Sequence, residues 1–504
     1  MNHHYGIDAI RKNIAHFVLG KALTAVFSVV VLLLIARVLP VQQFAAYTIF
    51  QALISLVNVI SDFGVGSAVI RYIPELRAAN NNLPMYQLIF RGGGIRMGMI
   101  ATTLAVLWFA STWWSPWFNL EHWLPWLALY LPVGWLRLSN MFVFRTMESL
   151  LWQKVTQYSM AAGSLTRLVF VLWLMWDGSL SLKGVILMEL ASEIVIFALL
   201  LMGFLTRWRS DPLRAQGDRG WLHHNWGRLR RFAIWGYLQG LATLLYGGSA
   251  NRIAASATLP AGTVGLFGFV DSLTDYGQRY LPTRMLNGMI QPLFFARYSQ
   301  TGDFQELSRL ANMTFRASLL ALGLPAVLLL TGGEALLNWL TAGKYGQAAY
   351  LVAGMIFVLG LESLRSQMEL MVQAVERNEI FLVSNLMLST SLVVSLALLP
   401  YIGLWAFVVG AGVGNVLSLL VVTIWFRRLG LIFQFDWWMT LRSFLTVGMA
   451  GVLGASVSHY ASAWAGVLVG VLVYGSITLL WPPIKPAERS VLIQLVKRRQ
   501  VVVA

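Results

Sequence analysis

Cysteine is absent from the chain. That excludes disulfides, thiol nucleophiles and cysteine-ligated metal sites. Charge is scarce: Asp, Glu, Lys and Arg make up 12% of the 504 residues, against about 25% in an ordinary soluble domain. Acids are the rarer sign, 21 against 37 Lys plus Arg, for a net charge of +16. The lone histidines His3, His4, His16, His122, His223, His224 and His459 show no metal-ligand spacing. No phosphate-binding glycine loop occurs, so a nucleotide-driven pump is excluded. What is present is apolar: 58% of the residues are hydrophobic, in runs of about twenty that recur from end to end. Such runs make an all-α polytopic membrane protein.

Fourteen transmembrane helices are expected, at roughly 14–38, 43–69, 92–111, 123–145, 151–176, 183–205, 231–255, 261–295, 314–339, 347–374, 378–400, 402–426, 438–459 and 463–482. The first run is too long for a signal-peptide core, so it reads as a retained helix. Of the cations, twenty-six fall on one set of loops and four (Arg37, Lys183, Arg252, Lys344) on the other. The positive-inside rule then puts both termini in the cytoplasm. Cations used this way set topology and do not point to nucleic acid.

Seven cations fall inside the spans: Lys21, Arg96, Arg137, Arg167, Arg279, Arg284 and Arg365. Inside the bilayer they need partners, water or an anionic substrate. Depth suggests pairing Lys21 with Asp62, and Arg167 with Glu189 and Glu193. Glu362, Arg365 and Glu369 share one helical stripe. This leaves Arg96, Arg137 and Arg284 without an obvious acid, a cationic surplus inside the membrane. Span eight carries Asp271, Asp275 and Arg279 at intervals of four, nearly in line along one face. Arg279 with Asp275 also reads as a plain intrahelical pair.

A repeat is visible. Leu39-Pro40 opens span two and Leu259-Pro260 opens span eight. Arg71-Tyr72 and Arg297-Tyr298 close them, and Arg91 and Arg316 precede spans three and nine. Six spans separate matching points, so the halves are parallel repeats. The expected organisation is an N-lobe over 1–220, a C-lobe over 221–427, and an extra hairpin with a basic tail over 428–504. Gly410-x-x-x-Gly414 and Gly466-x-x-x-Gly470 read as packing seams. Trp108 to Trp126 is an aromatic hairpin on the outer side, with Trp113, Trp114 and Trp117 open to sugar stacking or to a place in the interfacial belt.

The segment Ala36-Arg37-Val38-Leu39-Pro40-Val41-Gln42-Gln43-Phe44-Ala45-Ala46-Tyr47, followed by Ser61-Asp62-Phe63-Gly64-Val65-Gly66 and Ile70-Arg71-Tyr72, resembles the start of bacterial polysaccharide flippases. These are the Wzx-like branch of the multidrug/oligosaccharidyl-lipid/polysaccharide superfamily. Ala296 to Asp303 resembles their loop after span eight, while Pro40 and Ala45 replace glycines usual there. The resemblance implies two six-helix lobes in a V around a central cavity lined by helices one, two, seven and eight. It implies a lipid-linked sugar, usually on undecaprenyl diphosphate, moved across the inner membrane by alternating access. Polysaccharide polymerase and glycosyltransferases would be partners.

A diphosphate head suits guanidinium forks. Lys21, Arg96, Arg137, Arg279, Arg284 and Arg252 are therefore the expected substrate contacts. Asp62, Asp271 and Asp275 would balance charge or carry a coupling proton or sodium ion. No other cofactor is expected. A lipid II flippase and a multidrug antiporter are the alternatives, though an antiporter for cationic drugs needs a net acidic cavity. A membrane glycosyltransferase, ligase or polymerase is disfavoured, because the outer loops are short and carry almost no acid.

Overall fold

The computed structural model describes residues 7–242, 244, 247–285, 303–375 and 377–482, with side chains from Gly20 onward except those of Ala78, Gln239, Met285 and Asn378. The long helices in the first half are α1 Ile7–Val38, α2 Val41–Ile60, α3 Val65–Ala78, α4 Asn82–Phe109, α5 Leu124–Ser149, α6 Gln153–Trp176, α7 Leu182–Ser210, α8 Trp226–Ala242, α9 Gly248–Thr258 and α10 Ala261–Tyr280. Those in the second half are α11 Phe304–Thr341, α12 Ala349–Ala374, α13 Asn378–Ile402, α14 Trp405–Arg428, α15 Trp437–Tyr460 and α16 Ala463–Leu480. Several start on side-chain caps: Ser181 for α7, Asp303 for α11, Asp436 for α15 and Ser462 for α16. Each oxygen takes an amide that the first turn leaves unpaired.

Among the described residues, 12 helices are long and apolar enough to cross a membrane. They are α1, α2, α4 to α7 and α11 to α16, and they coincide with twelve of the expected spans. The chain is a multi-pass membrane protein of the all-α class. The other two expected spans differ in form. The seventh divides into α8 and α9, and α9 opens on Gly247-Gly248-Ser249, weak helix formers, with Gly247 at φ +96°. The eighth begins as α10 and is interrupted at Leu281, where Pro282 disfavours helix in the residue before it. Its expected continuation, 286–295, lies outside the described residues, as does the Ala296 to Gly302 stretch.

The second expected span also breaks. After α2 the chain turns through Ser61 to Gly64, with Phe63 at φ 45° and Gly64 at φ 73°, before α3 begins. Only glycine tolerates position 64: a Cβ there would meet the Ala233 carbonyl oxygen of α8 at 1.8 Å. Twenty residues of α2 already cover about 30 Å, a hydrocarbon thickness. Helix α2 is therefore long enough to cross the bilayer alone, and the break falls at its far end.

Contacts divide the chain into two compact units, Met1–Phe269 and Val270–Ala504. In the first, α1 packs on α6, α6 and α5 on α7, α3 on α4, α8 across α3, and α9 against α2. In the second, α13 packs on α14, α11 on α12, and the α15–α16 hairpin on α11. Both glycine seams are close approaches. A Cβ on Gly410 would meet Ser395 Oγ at 2.1 Å, and one on Gly466 the Gly454 carbonyl at 2.5 Å. The hairpin is also tied by charge: buried Arg316 of α11 donates to Asp436 Oδ2 at 2.6 Å, while the other oxygen of Asp436 caps α15. The sequence reading had placed Arg316 in a loop.

Candidate functional site

In the first unit the buried charges form two constellations. One lies among α2, α5, α6 and α7. Glu189 accepts from Tyr47 Oη at 2.6 Å, Tyr130 Oη at 2.8 Å and Arg137 Nη2 at 2.7 Å. Glu193 accepts from Arg137 Nε and Arg167 Nη2, both at 2.9 Å, and from Asn140 Nδ2 at 2.9 Å. Arg137 Nη1 also reaches Tyr130 Oη at 2.9 Å, and Arg167 Nε reaches Ser192 Oγ at 3.0 Å. Two guanidinium groups face two carboxylates, so the cluster is neutral. Pairing and hydrogen bonding at this density are what make buried ions tolerable. Arg137 is thus a member of an ion-pair network and not a surplus cation. The depth argument failed here because it assigned both acids to Arg167 alone.

The second constellation surrounds the break after α2. Arg96, reaching across from α4, is buried with its side chain 4% exposed. Its Nη1 donates to Ser61 Oγ at 2.9 Å, and its Nη2 to Asn58 O at 2.9 Å and Asn58 Oδ1 at 2.7 Å. Its Nε lies 3.6 Å from Asp62 Oδ1. A cation at a helix C-terminus meets carbonyls with no intrahelical donor and the negative end of the macrodipole. The Asp62 carboxylate sits at the opening turn of α3, the positive end of the next helix. The acid on Arg96 is therefore Asp62, which the depth argument had paired with Lys21. Lys21 instead acts electrostatically on Glu148, together with Arg145.

A cleft of about 170 Å³ opens beside this clamp, lined by Asn58, Asp62, Ser67, Arg96, Arg145 and Tyr237 and by apolar residues of α2, α3 and α5. Helix α8 covers it. The Phe63 and Tyr237 rings stack at 4.9 Å, and Tyr237 Oη donates to Ile60 O at 3.2 Å. Arg145 is exposed and, among the described residues, pairs with no acid. Sequence reasoning had used Arg145 only as a topology marker. The Ser-Asp-Phe-Gly turn ending a run longer than one bilayer crossing was the signal for this corner.

In the second unit, Arg284 does have an acid: its Nη2 lies 2.8 Å from Glu362 Oε1, which also accepts from Gln278. Arg365 pairs with Glu369 on the expected stripe and donates to Asn415 Oδ1 at 3.2 Å. Arg279 is exposed, lies over the Tyr276 ring at 5.6 Å, and pairs with no carboxylate among the described residues; the intrahelical pair with Asp275 does not form. Lys21, Arg252, Asp271 and Asp275 each engage a neighbouring group, Arg252 and Asp271 from buried positions. Among the described residues no His, Asp and Glu cluster is arranged to hold a metal.

In the aromatic hairpin between α4 and α5, Trp114 is buried and donates to Leu107 O at 2.9 Å. Trp113 and Trp117 are exposed, with ring centroids 5.7 Å apart.

The sequence model of a family described as "Polysaccharide biosynthesis protein" matches residues 10–295. Among solved structures, the chain is similar to "Lipid II flippase MurJ, inward closed conformation" (TM-score 0.63, 10% identity, 94% of this chain and 99% of that one). It is also similar to an inward-facing multidrug resistance MATE family transporter of the MOP superfamily (TM-score 0.60, 13% identity, 80% and 94%). A third is the eukaryotic MATE transporter AtDTX14 (TM-score 0.55, 12% identity, 81% and 96%). At these identities the likeness is one of fold. Comparison with curated protein sequences gives no match.

Proposed function

Because the chain belongs to the polysaccharide biosynthesis protein family, whose match covers more than half of it, we propose that it is a flippase for a lipid-linked oligosaccharide. The substrate is an undecaprenyl-diphosphate-linked glycan, moved from the cytoplasmic to the periplasmic leaflet of the bacterial inner membrane to supply an O-antigen, capsule or exopolysaccharide. It is handed on by glycosyltransferases and received by a polymerase. Translocation is by alternating access of the halves 1–220 and 221–427, with 428–504 appended and both termini cytoplasmic.

The observation that carries this reading is the family match on a chain with the fold of a lipid II flippase. The charge pattern supports it. The network acids Glu189 and Glu193 are taken up by arginine, whereas Arg145 and Arg279 stand in no ion pair among the described residues. That suits an anionic head group better than a cationic drug, which weighs against an antiporter. Lipid II is the nearest alternative cargo. Coupling to a proton or sodium ion would fall to Asp62, Asp271 or Asp275.

The test is flipping of a lipid-linked oligosaccharide in vesicles containing only this protein. Wild type flips it, and R279A reaches the membrane but does not flip. A wild type that moves no such lipid, or an R279A with normal transport, overturns the assignment.

A further inference from the structure

We propose that the cleft beneath α8 is an anion site for a phosphate of a lipid head group, with Arg145 as its charged contact. This rests on the flippase reading and names a place where such a substrate would first be held.

Three observations converge on it. The first is charge. Arg96 and Arg145 act on one another as like charges, and Asp62 is the one carboxylate lining the cleft with them. Asp62 already serves Arg96; Glu148 feels Arg145 from outside the cleft, so the lining itself keeps one net positive charge, at Arg145, that an anion would complete. The second is the donor set. Asn58 uses its Oδ1 and carbonyl on Arg96, which leaves its amide hydrogens available. The Ser67 hydroxyl is likewise uncommitted among the described residues, and Gly66 and Ser67 of the first turn of α3 line the same wall. Phosphate oxygens accept from such donors, and a guanidinium adds a paired, charge-assisted contact.

The third observation is depth. The cleft lies at the end of a helix as long as the hydrocarbon layer is thick, which is the level of lipid phosphates on the cytoplasmic side. Its other walls are Val59, Ile70, Leu138, Met141 and Phe142, an apolar surface suited to the first units of a lipid chain. A soluble phosphate has no use for that surface.

The experiment measures binding to the full-length protein in nanodiscs, with farnesyl diphosphate and inorganic pyrophosphate as probes. Farnesyl diphosphate binds the wild type. R145A weakens it about tenfold to a hundredfold, the range for one charged hydrogen-bonding contact, and R145K falls between. If pyrophosphate binds as tightly and is lost in R145A, the anion assignment stands and the lipid source is overturned. If R145A binds both probes like wild type while remaining folded by its thermal transition, the site is overturned. Binding and flipping fail separately. A wild type that binds the diphosphate through Arg145 yet flips no lipid-linked oligosaccharide removes the function proposed above and leaves the site.

Discussion

Replacing Arg137 by methionine tests whether the buried network is scaffold or substrate contact. Arg137 donates at 2.7 to 2.9 Å to Glu189, Glu193 and Tyr130. Without it Glu193 keeps its pair with Arg167, while the Glu189 carboxylate loses its guanidinium donor and is left with the two tyrosine hydroxyls and the field of Arg167. Breaking a buried pair by removing one partner costs about 3–5 kcal/mol, so R137M should unfold well before wild type on heating in detergent. The double variant R137M/E189Q removes one charge of each sign and restores neutrality. It should recover about 0.5–3 kcal/mol relative to the sum of the single changes, and regain flipping with it. Tryptophan fluorescence against temperature reads the first quantity and vesicle transport the second. An R137M as stable as wild type that has lost flipping, with no rescue in the double variant, would refute the scaffold role and return Arg137 to the substrate.

Other positions give sharper structural tests. Gly64→Ala should destabilise by about 2–4 kcal/mol, combining left-handed backbone strain with overpacking against Ala233; near-normal expression and melting would show that α8 does not sit on the break. Because the natural chain has no cysteine, S67C/G236C places one clean thiol pair where a Cβ on Gly236 would lie 3.1 Å from the Ser67 Cβ, close to disulfide range. Mild oxidation should protect both thiols from maleimide, and free labelling would contradict the packing of α8 on α3. Gly414→Val should separate α13 from α14, since a Cβ there already meets Ser391 Cβ at 2.8 Å; an unchanged melting transition would argue against a tight seam.

Span positions were legible because hydrophobic run length is set by bilayer thickness, and eleven of the expected runs returned as single helices. Partners were less so. Counting residues from a span's end gives depth but not azimuth or neighbour order. Lys21 therefore looked suited to Asp62, while Arg96 on α4 in fact holds that acid. For the same reason Arg284 seemed unpaired, although Glu362 lay on a stripe already recognised. The corner at Ser61 to Gly64 was written in the sequence as polar residues and glycine inside an over-long apolar run. Its left-handed turn was masked by the surrounding hydropathy. Arg145 was invisible as a ligand because positive-inside counting treats every inner arginine alike.

The C-terminal hairpin looks like a detachable addition when spans are merely counted, yet its bond to α11 says otherwise. Asp436, one residue ahead of α15, neutralises an arginine buried in α11, and Tyr474 and Val467 fill the hollows at Gly323 and Gly332. A chain cut after residue 430 would take the Asp436 carboxylate from a buried cation and open two grooves in α11. Any minimal version built in the laboratory has to change residue 316 at the same stroke.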